Sequence, residues 1–479
     1  MSNSVPSNYI PPLFVDLDGT LVKSDLLLES ILDVIKRNPI FLLHMPYWLL
    51  RGKAYFKQQI AERAHIDSRL LPYNETFVSF LKSERVKGRY LFLASGSHET
   101  IVHQIADHFG FFQKVLASDG KLNLTGERKL EEILKISKEG EFDYAGNAPV
   151  DLKIWSHCRT AILVNPRKGL EKTLRRIDKP VEVFEEREAG LYPYLKAIRV
   201  HQWIKNILLF VPLITSHKWD QPYLLFNLIA GFLSFSFVAS SGYLLNDFLD
   251  LESDRNHPRK CMRPVTRGDI PLSVAGILMF LLLLGGFALG MFLSIKFAGI
   301  LFIYIIISQA YSMRFKSIVF LDVVILSSLY TIRVISGAIL INVYLSFWLL
   351  AFSMFIFLSL ALIKRCSELT KLVKIENAAA KGRDYRVSDL GNLYNMGTTS
   401  GYLSVLVLAL YINSNEVMIH YKHPEILWLL CPTILYWVSR LWLKTGRGEM
   451  DDDPIIFTIK DSTSWLAWIL CAASIILAI

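Results

Sequence analysis

The feature that most constrains this chain is a series of long stretches with no Asp, Glu, Lys or Arg. They run 221–246, 270–295, 297–313, 334–363, 390–415 and 462–479. Each is close to the roughly 17–25 residues that cross a bilayer as a helix. Everything after about residue 190 therefore reads as membrane-embedded helix. Shorter apolar runs at 206–217, 323–332 and 426–439 bring the expectation to nine spans, near 199–215, 222–245, 272–292, 297–313, 318–340, 344–363, 399–415, 424–442 and 463–479. The loops after the second, fourth, sixth and eighth spans hold 17 Lys and Arg, among them Lys364, Arg365, Lys374, Lys381 and Arg383. The opposite loops hold Lys218, Lys296 and Lys422. Positive-inside bias then puts the basic loops and the N-terminal segment in the cytoplasm, and the C-terminus on the far side. That topology absorbs the formal charge of +9, so no nucleic-acid partner is expected. Five scattered cysteines without a CxxC pair suggest neither a disulfide framework nor a zinc site. The opening residues lack the basic end and apolar core of a secretory signal.

Before residue 190 the texture is that of a soluble α/β domain. Leu13-Phe14-Val15 is a short apolar strand that runs into Asp16-Leu17-Asp18-Gly19. Two carboxylates at i and i+2 after a buried parallel strand stand at its C-terminal edge, where open α/β sheets bind ligands. Asp16 is placed to attack phosphorus, and Asp18 to protonate the leaving oxygen and then activate water. The plainer reading is a strand followed by an Asp-rich turn.

FVDLDGTLV resembles the haloacid dehalogenase (HAD) superfamily over about 13–185, a phosphatase-like Rossmannoid α/β fold. The resemblance implies phosphoryl-oxygen contacts from Thr20, Ser95 and Gly96, and a charge-neutralising lysine, Lys129 or its rival Lys121. It also implies a magnesium site of Asp16, Asp18, Asn147 and Asp151. Asn147 stands where an Asp is usual, which removes one charge from that site and puts turnover in question. Residues 1–12 are an extension, 13–188 the HAD-like domain with a helical cap over about 22–88, 189–198 a linker, and 199–479 the membrane domain. Within the cap, residues 39–53 are too apolar for an ordinary cap face and too short to span. They read either as an interfacial helix, with Tyr, Trp, Arg and Lys at headgroup level, or as a helix packed on the protein.

The second expected span ends in Asn246-Asp247-Phe248-Leu249-Asp250, and Asp254 follows. Positions 246, 250 and 254 share one helical face. Three stacked oxygen donors repel one another unless a cation sits there, and magnesium bridged to a diphosphate is the natural cation. Lys260 and Arg263 follow, suited to phosphate oxygens. The alternative is a solvated acidic loop.

NDxxDxxxDRxHPxKxxRP resembles the UbiA superfamily, nine-helix intramembrane transferases, over about 191–479. The branch that matches best is the polyprenyl-phosphate phosphoribosyltransferases. The match rests on RVHQWIKN at 199–206, YSMRFKSIVFLD at 311–322, Arg333 with Gly337, IKRCSEL at 363–369 and GEMDDDPIIF at 448–457. By that resemblance Asp250 and Asp254 are catalytic. Lys205, Asn246, Asp247, Arg255, Lys260, Arg263, Tyr311, Lys316, Asp322, Arg333, Lys364, Arg365 and Glu368 would hold substrate. A prenyltransferase usually carries a second Asp-rich loop, whereas this chain offers Lys364-Arg365-Cys366-Ser367-Glu368 there. An acidic set and a basic set suit two anionic substrates, phosphoribosyl pyrophosphate on magnesium and a polyprenyl phosphate on the cations. Topology alone is the competing explanation for the basic residues.

The fusion suggests a bifunctional enzyme of a bacterial inner membrane. One half would make a 5-phosphoribosyl lipid and the other would dephosphorylate it to polyprenyl-phosphoryl-ribose, a precursor of lipid-linked pentose (arabinose) donors. The alternatives are an aromatic or quinone prenyltransferase with a regulatory HAD domain, a transporter with a sensing domain, and an N-terminal domain that only binds phosphate.

Overall fold

The computed structural model describes residues 10–120, 122–167, 169–186, 190–373, 384–414, 417, 421–451 and 453–479. Lys121, Lys374, Lys381, Arg383, Asp452 and residues 1–9 of the extension lie outside the described residues. The chain forms two compact units. One holds the residues up to Arg199 together with Tyr243–Met279, and the other holds Val200–Gly242 and Phe280–Ile479. The segment 243–279, which carries the Asp-rich motif, thus belongs with the soluble-looking N-terminal residues rather than with the other spans.

The first unit is built on six parallel strands: β1 Leu13–Val15, β2 Leu91–His98, β3 Lys114–Ser118, β4 Asp143–Gly146, β5 Ala161–Val164 and β6 Val181–Phe184, in the order β3-β2-β1-β4-β5-β6. Side chains alternate across a strand. Leu13 and Val15 join one core with Leu93, Ile105 and Phe77, while Phe14 joins the opposite core with Tyr144, Trp155 and Ile133. Both faces of β1 are covered, so its sequence is uninterrupted apolar rather than alternating. Truncating Phe14 would cost roughly 3–5 kcal/mol.

Helices Leu26–Arg37, Phe41–Leu50, Lys53–Ala61 and Glu75–Val86 lie between β1 and β2 in the chain. At the opposite end of the sheet from Asp16, Asp143 opens β4 between Arg89 and Arg159, with Arg159 Nε 3.0 Å from its Oδ1. That carboxylate is fully engaged in structure. Gly268 (φ +82°) stands against Lys23, where an added Cβ would come within 2.6 Å of the Lys23 Cβ. Only glycine fits there.

The second unit is helical. Across the whole chain, seven helices among the described residues are long and apolar enough to cross a membrane, or eight if Pro454–Lys460 and Ser462–Ala478, bent by 86°, are one span. This corrects the expected nine. The first expected span is not one α-helix but an eleven-residue 3-10 helix, Val200–Phe210, followed by Val211–Thr215. Pro212 contributes, because it lacks the N–H that a continuous helix would need there. The helix Phe347–Val373 also runs well past its apolar stretch. Lys364, Arg365 and Glu368 therefore lie on the helix and not in the loop expected after residue 363. Apolar length underestimates a helix whose end emerges from the hydrocarbon.

Small residues allow close packing in this unit, as in membrane bundles generally. Gly397 lies against Trp442, and Gly337 against the Leu209 backbone. Ser359 Oγ donates to the Gly397 carbonyl at 2.8 Å and accepts from Trp442 Nε1 at 3.0 Å. The Ser359 hydroxyl and the Trp442 indole N–H are thus paired within the bundle rather than exposed to lipid.

Candidate active sites

The first candidate site lies at the C-terminal ends of β1, β2 and β4. Asp16 leaves β1 and accepts a bond from Lys129 Nζ at 2.8 Å. The same ammonium lies 3.2 Å from the Tyr144 hydroxyl, which donates to Asp151 Oδ1 at 3.0 Å. Burial works against the Lys129 charge, but the Asp16 and Asp151 carboxylates outweigh it and hold the ammonium above its usual range.

Asp18 accepts from Leu26 N at 2.8 Å, the start of the cap helix, and from Ser97 Oγ at 2.7 Å. Enclosure, then the Asp25 charge, push its carboxyl up to about 6 despite those donors. Burial and the Asp16 charge do the same to Asp151, also to about 6. The pair Asp16–Asp18 therefore carries one ion-paired carboxylate and one poised near neutrality, which suits a nucleophile and an acid.

Thr20 Oγ1 is buried without a hydrogen-bond partner among the described residues. Gly19 (φ +76°) lies so close to the Asn147 side-chain amide that an added Cβ would overlap it. The Asp16–Gly19 turn and Asn147 are thus neighbours. Asp151 Oδ2 accepts from the Ala148 backbone at 3.1 Å, which closes the loop after β4.

Ser95 Oγ accepts from Ser97 N at 3.0 Å and donates to Asp18 Oδ2 at 3.4 Å, so the structure brings it to the site beside Ser97. The Gly96 carbonyl accepts from Lys57 Nζ at 2.6 Å, and Asn123 Oδ1 from the same ammonium at 2.8 Å. Ser97, Lys57 and Tyr144 escaped the sequence-based reading. Lys57 belongs to no motif. Tyr144 carried a usable signal, since a tyrosine inside a buried strand needs a partner for its hydroxyl.

The second candidate site follows the helix Pro222–Leu249. That helix breaks at Asp250 and resumes as Leu251–Arg255, yet Asp250 N bonds Asn246 O at 2.9 Å and Asp254 N bonds Asp250 O at 2.8 Å. The i, i+4, i+8 register therefore survives the break. Arg263 Nη1 bridges Asp247, at 3.1 Å, and Asp254. Arg199 also pairs with Asp247. Asp254 is fully buried, and its Oδ1 has no hydrogen-bond donor among the described residues, with Lys260 Nζ 3.4 Å away. Asn246 and Asp250 are half-buried. Arg255 does not point to this set, because its guanidinium is held by Glu29.

The remaining candidates belong to the second unit. Arg365 lies 2.8 Å from Asp322 and also pairs with Glu368. The Tyr385 hydroxyl donates to Asp322 as well. Lys205 is paired with Asp453. Arg333 is held on all three nitrogens: Nε donates to Asn206 Oδ1 at 2.8 Å, Nη2 to Tyr304 at 3.1 Å, and Nη1 to the Leu329 carbonyl. The Phe235, Tyr304 and Tyr330 rings surround it. Tyr311, Lys316 and Lys364 are half-buried.

Among the described residues no group of three or more His, Cys, Asp or Glu side chains is gathered as a protein-only metal site. Magnesium commonly takes one or two carboxylates, with water and substrate phosphates completing its shell. The donor-free Asp254 oxygen and the mutually repelling Asp16, Asp18 and Asp151 carboxylates fit that demand.

Residues 207–457 match the family described as the UbiA prenyltransferase family. The uncharacterized protein y4nM of Sinorhizobium fredii is 33% identical over 470 residues, covering 98% of this chain and 91% of that protein. The decaprenyl-phosphate phosphoribosyltransferase of Mycolicibacterium smegmatis is 36% identical over 179 residues, covering 36% of this chain and 56% of that protein. Among solved structures, a HAD family hydrolase from Salmonella enterica serovar Typhi overlaps 39% of this chain and 71% of its own. Its identity is 10% and its TM-score 0.27.

Proposed function

Since this chain belongs to the UbiA prenyltransferase family, we propose that it is an integral membrane enzyme with two activities. The first transfers 5-phosphoribose from phosphoribosyl pyrophosphate to a polyprenyl phosphate. The second, in the HAD-like N-terminal domain, removes the 5-phosphate from the product. The observation that carries the reading is the carboxylate ladder ending at Asp254, where a donor-free carboxylate oxygen stands beside Lys260 and Arg263. A cation and an anionic diphosphate satisfy that combination together. The relative's name supplies the transferred group and the acceptor class.

In the transfer, an anionic oxygen of the lipid phosphate attacks ribose C1. A new C–O bond forms as the bond from C1 to pyrophosphate breaks, and pyrophosphate leaves with the electron pair. The acceptor is already ionised, so no protein base is needed. Asn246, Asp250 and Asp254 would hold magnesium, which when bound supplies positive charge for the departing pyrophosphate. Lys260 and Arg263 hold phosphate oxygens, and in the second unit Lys316, Lys364 and Arg365, with Tyr311, serve the acceptor phosphate. Arg333, Lys205 and Arg255 act in the framework through Asn206, Asp453 and Glu29.

In the dephosphorylation, Asp16 attacks the 5-phosphate and the ribose oxygen departs with a proton from Asp18. Water, losing a proton to Asp18, then releases phosphate and restores Asp16. Thr20 binds a phosphoryl oxygen and Lys129 offsets the charge. Asp16, Asp18, Asn147 and Asp151 would hold magnesium there, shielding phosphate from carboxylate. By loop charge the N-terminal domain is cytoplasmic in a bacterial plasma membrane.

Labelled phosphoribosyl pyrophosphate and a labelled prenyl diphosphate, supplied in parallel, test the transfer. Label entering lipid from the first, dependent on polyprenyl phosphate, supports the reading. Prenylation of an aromatic acceptor instead favours an ordinary prenyltransferase with a regulatory N-domain.

A further inference from the structure

The cap helix Phe41–Leu50 wears its apolar residues on the outside. Only Trp48 is buried, packed with Val34 and Ile60. Leu43 is 80% and Leu50 87% exposed, and Ile40, Leu42, Tyr47 and Leu49 are each more than half exposed. Nothing among the described residues covers them. At about 1.5 Å per residue the helix is far too short to span. Its flanks are basic: Lys36 precedes it, with Arg37 paired to Asp33 at 2.9 Å, Arg51 and Lys53 follow, and all four basic residues are exposed. Arg51 lies over the Tyr47 ring at 4.8 Å. No acidic residue occurs between Asp33 and Glu62.

A solvated helix would not carry this pattern, and a protein partner would not by itself require a rim of one charge. An anionic bilayer surface requires both the apolar face and the basic rim. A bilayer is also always at hand, because the chain carries at least seven candidate spans. We propose that Phe41–Leu50 is a membrane-surface anchor, its apolar face inserted at the headgroup–acyl boundary of anionic lipid and its basic flanks among the phosphates. The next helix, Lys53–Ala61, carries Lys57 to the Gly96 carbonyl at the mouth of the first site. The anchor thus holds the cap where a lipid-linked phosphate monoester can be processed without leaving the bilayer. This last consequence rests on the phosphatase reading; the anchoring does not.

The test uses the full chain in nanodiscs, with Cys261→Ser and Cys471→Ser to remove the partly accessible thiols. Spin labels are placed at Leu43→Cys and Leu50→Cys, with Val86→Cys, an exposed site on another helix, as control. Labels at 43 and 50 should be reached by oxygen and shielded from a nickel chelate, and the control should show the reverse. The shielding should increase when phosphatidylglycerol is added to phosphatidylcholine, and that increase should vanish with Arg51→Glu and Lys53→Glu together. Nickel access at 43 and 50 equal to that at 86 overturns the proposal. So does shielding from both reagents, which would indicate a second copy or another protein on the face. Leu43→Glu with Leu50→Glu should slow hydrolysis of the phosphoribosyl lipid at least several-fold while leaving p-nitrophenyl phosphate hydrolysis unchanged. If the labels read lipid and no phosphatase activity is found with either substrate, the anchor stands and the phosphatase reading fails.

Discussion

Glu29 and Arg255, 226 residues apart, form a two-bonded ion pair, with Nη1 2.9 Å from Oε2 and Nη2 2.6 Å from Oε1. Glu29 lies one turn into the helix whose first N–H holds Asp18, and Arg255 follows Asp254 directly. Both side chains are more than 90% buried. Breaking such a pair from one side leaves an uncompensated charge, at a cost of about 3–5 kcal/mol. Glu29→Gln should lower the melting temperature and reduce lipid formation, and Glu29→Arg combined with Arg255→Glu should recover part of both. Thermal scans with a transfer assay check this. A Glu29→Gln protein that matches wild type in both would mean that the pair does not hold the motif.

Asp254→Ala and Asp250→Ala should abolish transfer while p-nitrophenyl phosphate hydrolysis continues. In the proposed mechanism the loss is one of charge where magnesium and the diphosphate would bind, and the parallel-strand core lies elsewhere in the chain. Transfer at wild-type rate in either variant would remove the ladder from the mechanism.

Arg333 and Lys364 should behave differently. Arg333 has its guanidinium engaged by Asn206, Tyr304 and the Leu329 carbonyl, so Arg333→Lys loses a planar fork that an ammonium cannot imitate. It should lower thermal stability by roughly 1–3 kcal/mol and leave the Michaelis constant for polyprenyl phosphate unchanged. Lys364→Ala should raise that constant with little effect on phosphoribosyl pyrophosphate. Steady-state kinetics beside thermal scans separate the two. A Michaelis constant that moves with Arg333 would return it to the acceptor site.

Asp18 and Asp151, each at about 6, make stability depend on pH. Their unfolded values are near 3.9, so the folded state holds more protons between about pH 4 and 6. Stability falls as pH rises through that window, and the penalty is complete above it. Metal-stripped protein should melt higher near pH 5 than near pH 7.5. Magnesium competes with the same protons, so it should raise the melting temperature more at the higher pH. Calorimetry with chelator or magnesium at both values checks it. A magnesium effect independent of pH would contradict the assignment of these carboxylates.

How much of this was legible in the sequence depends on how local the cause is. Asp16, Asp18 and Lys129 meet as the motif order implied, because strand order and a buried charge leave few partners for that lysine. The 246–250–254 ladder was legible too, since helical spacing is local. Arg333 was legible as a buried charge but its partners at 206 and 304 were not, because they come from other helices. Lys57 and Glu29 were invisible for the same reason. The nine-span expectation failed where hydropathy is blind to helix type: Val200–Phe210, whose end opens the apolar run 206–217, winds as a 3-10 helix.

The most direct test of the whole account is one reaction: purified protein, magnesium, phosphoribosyl pyrophosphate and a short polyprenyl phosphate, with lipid products resolved by mass. Wild type should yield polyprenyl-phosphoryl-ribose without the 5-phosphate. Asp16→Asn should accumulate the same lipid with the phosphate retained, because an amide cannot serve as the nucleophile. No ribosylated lipid from wild type would contradict the transfer, and an unchanged ratio of the two lipids in Asp16→Asn would contradict the phosphatase.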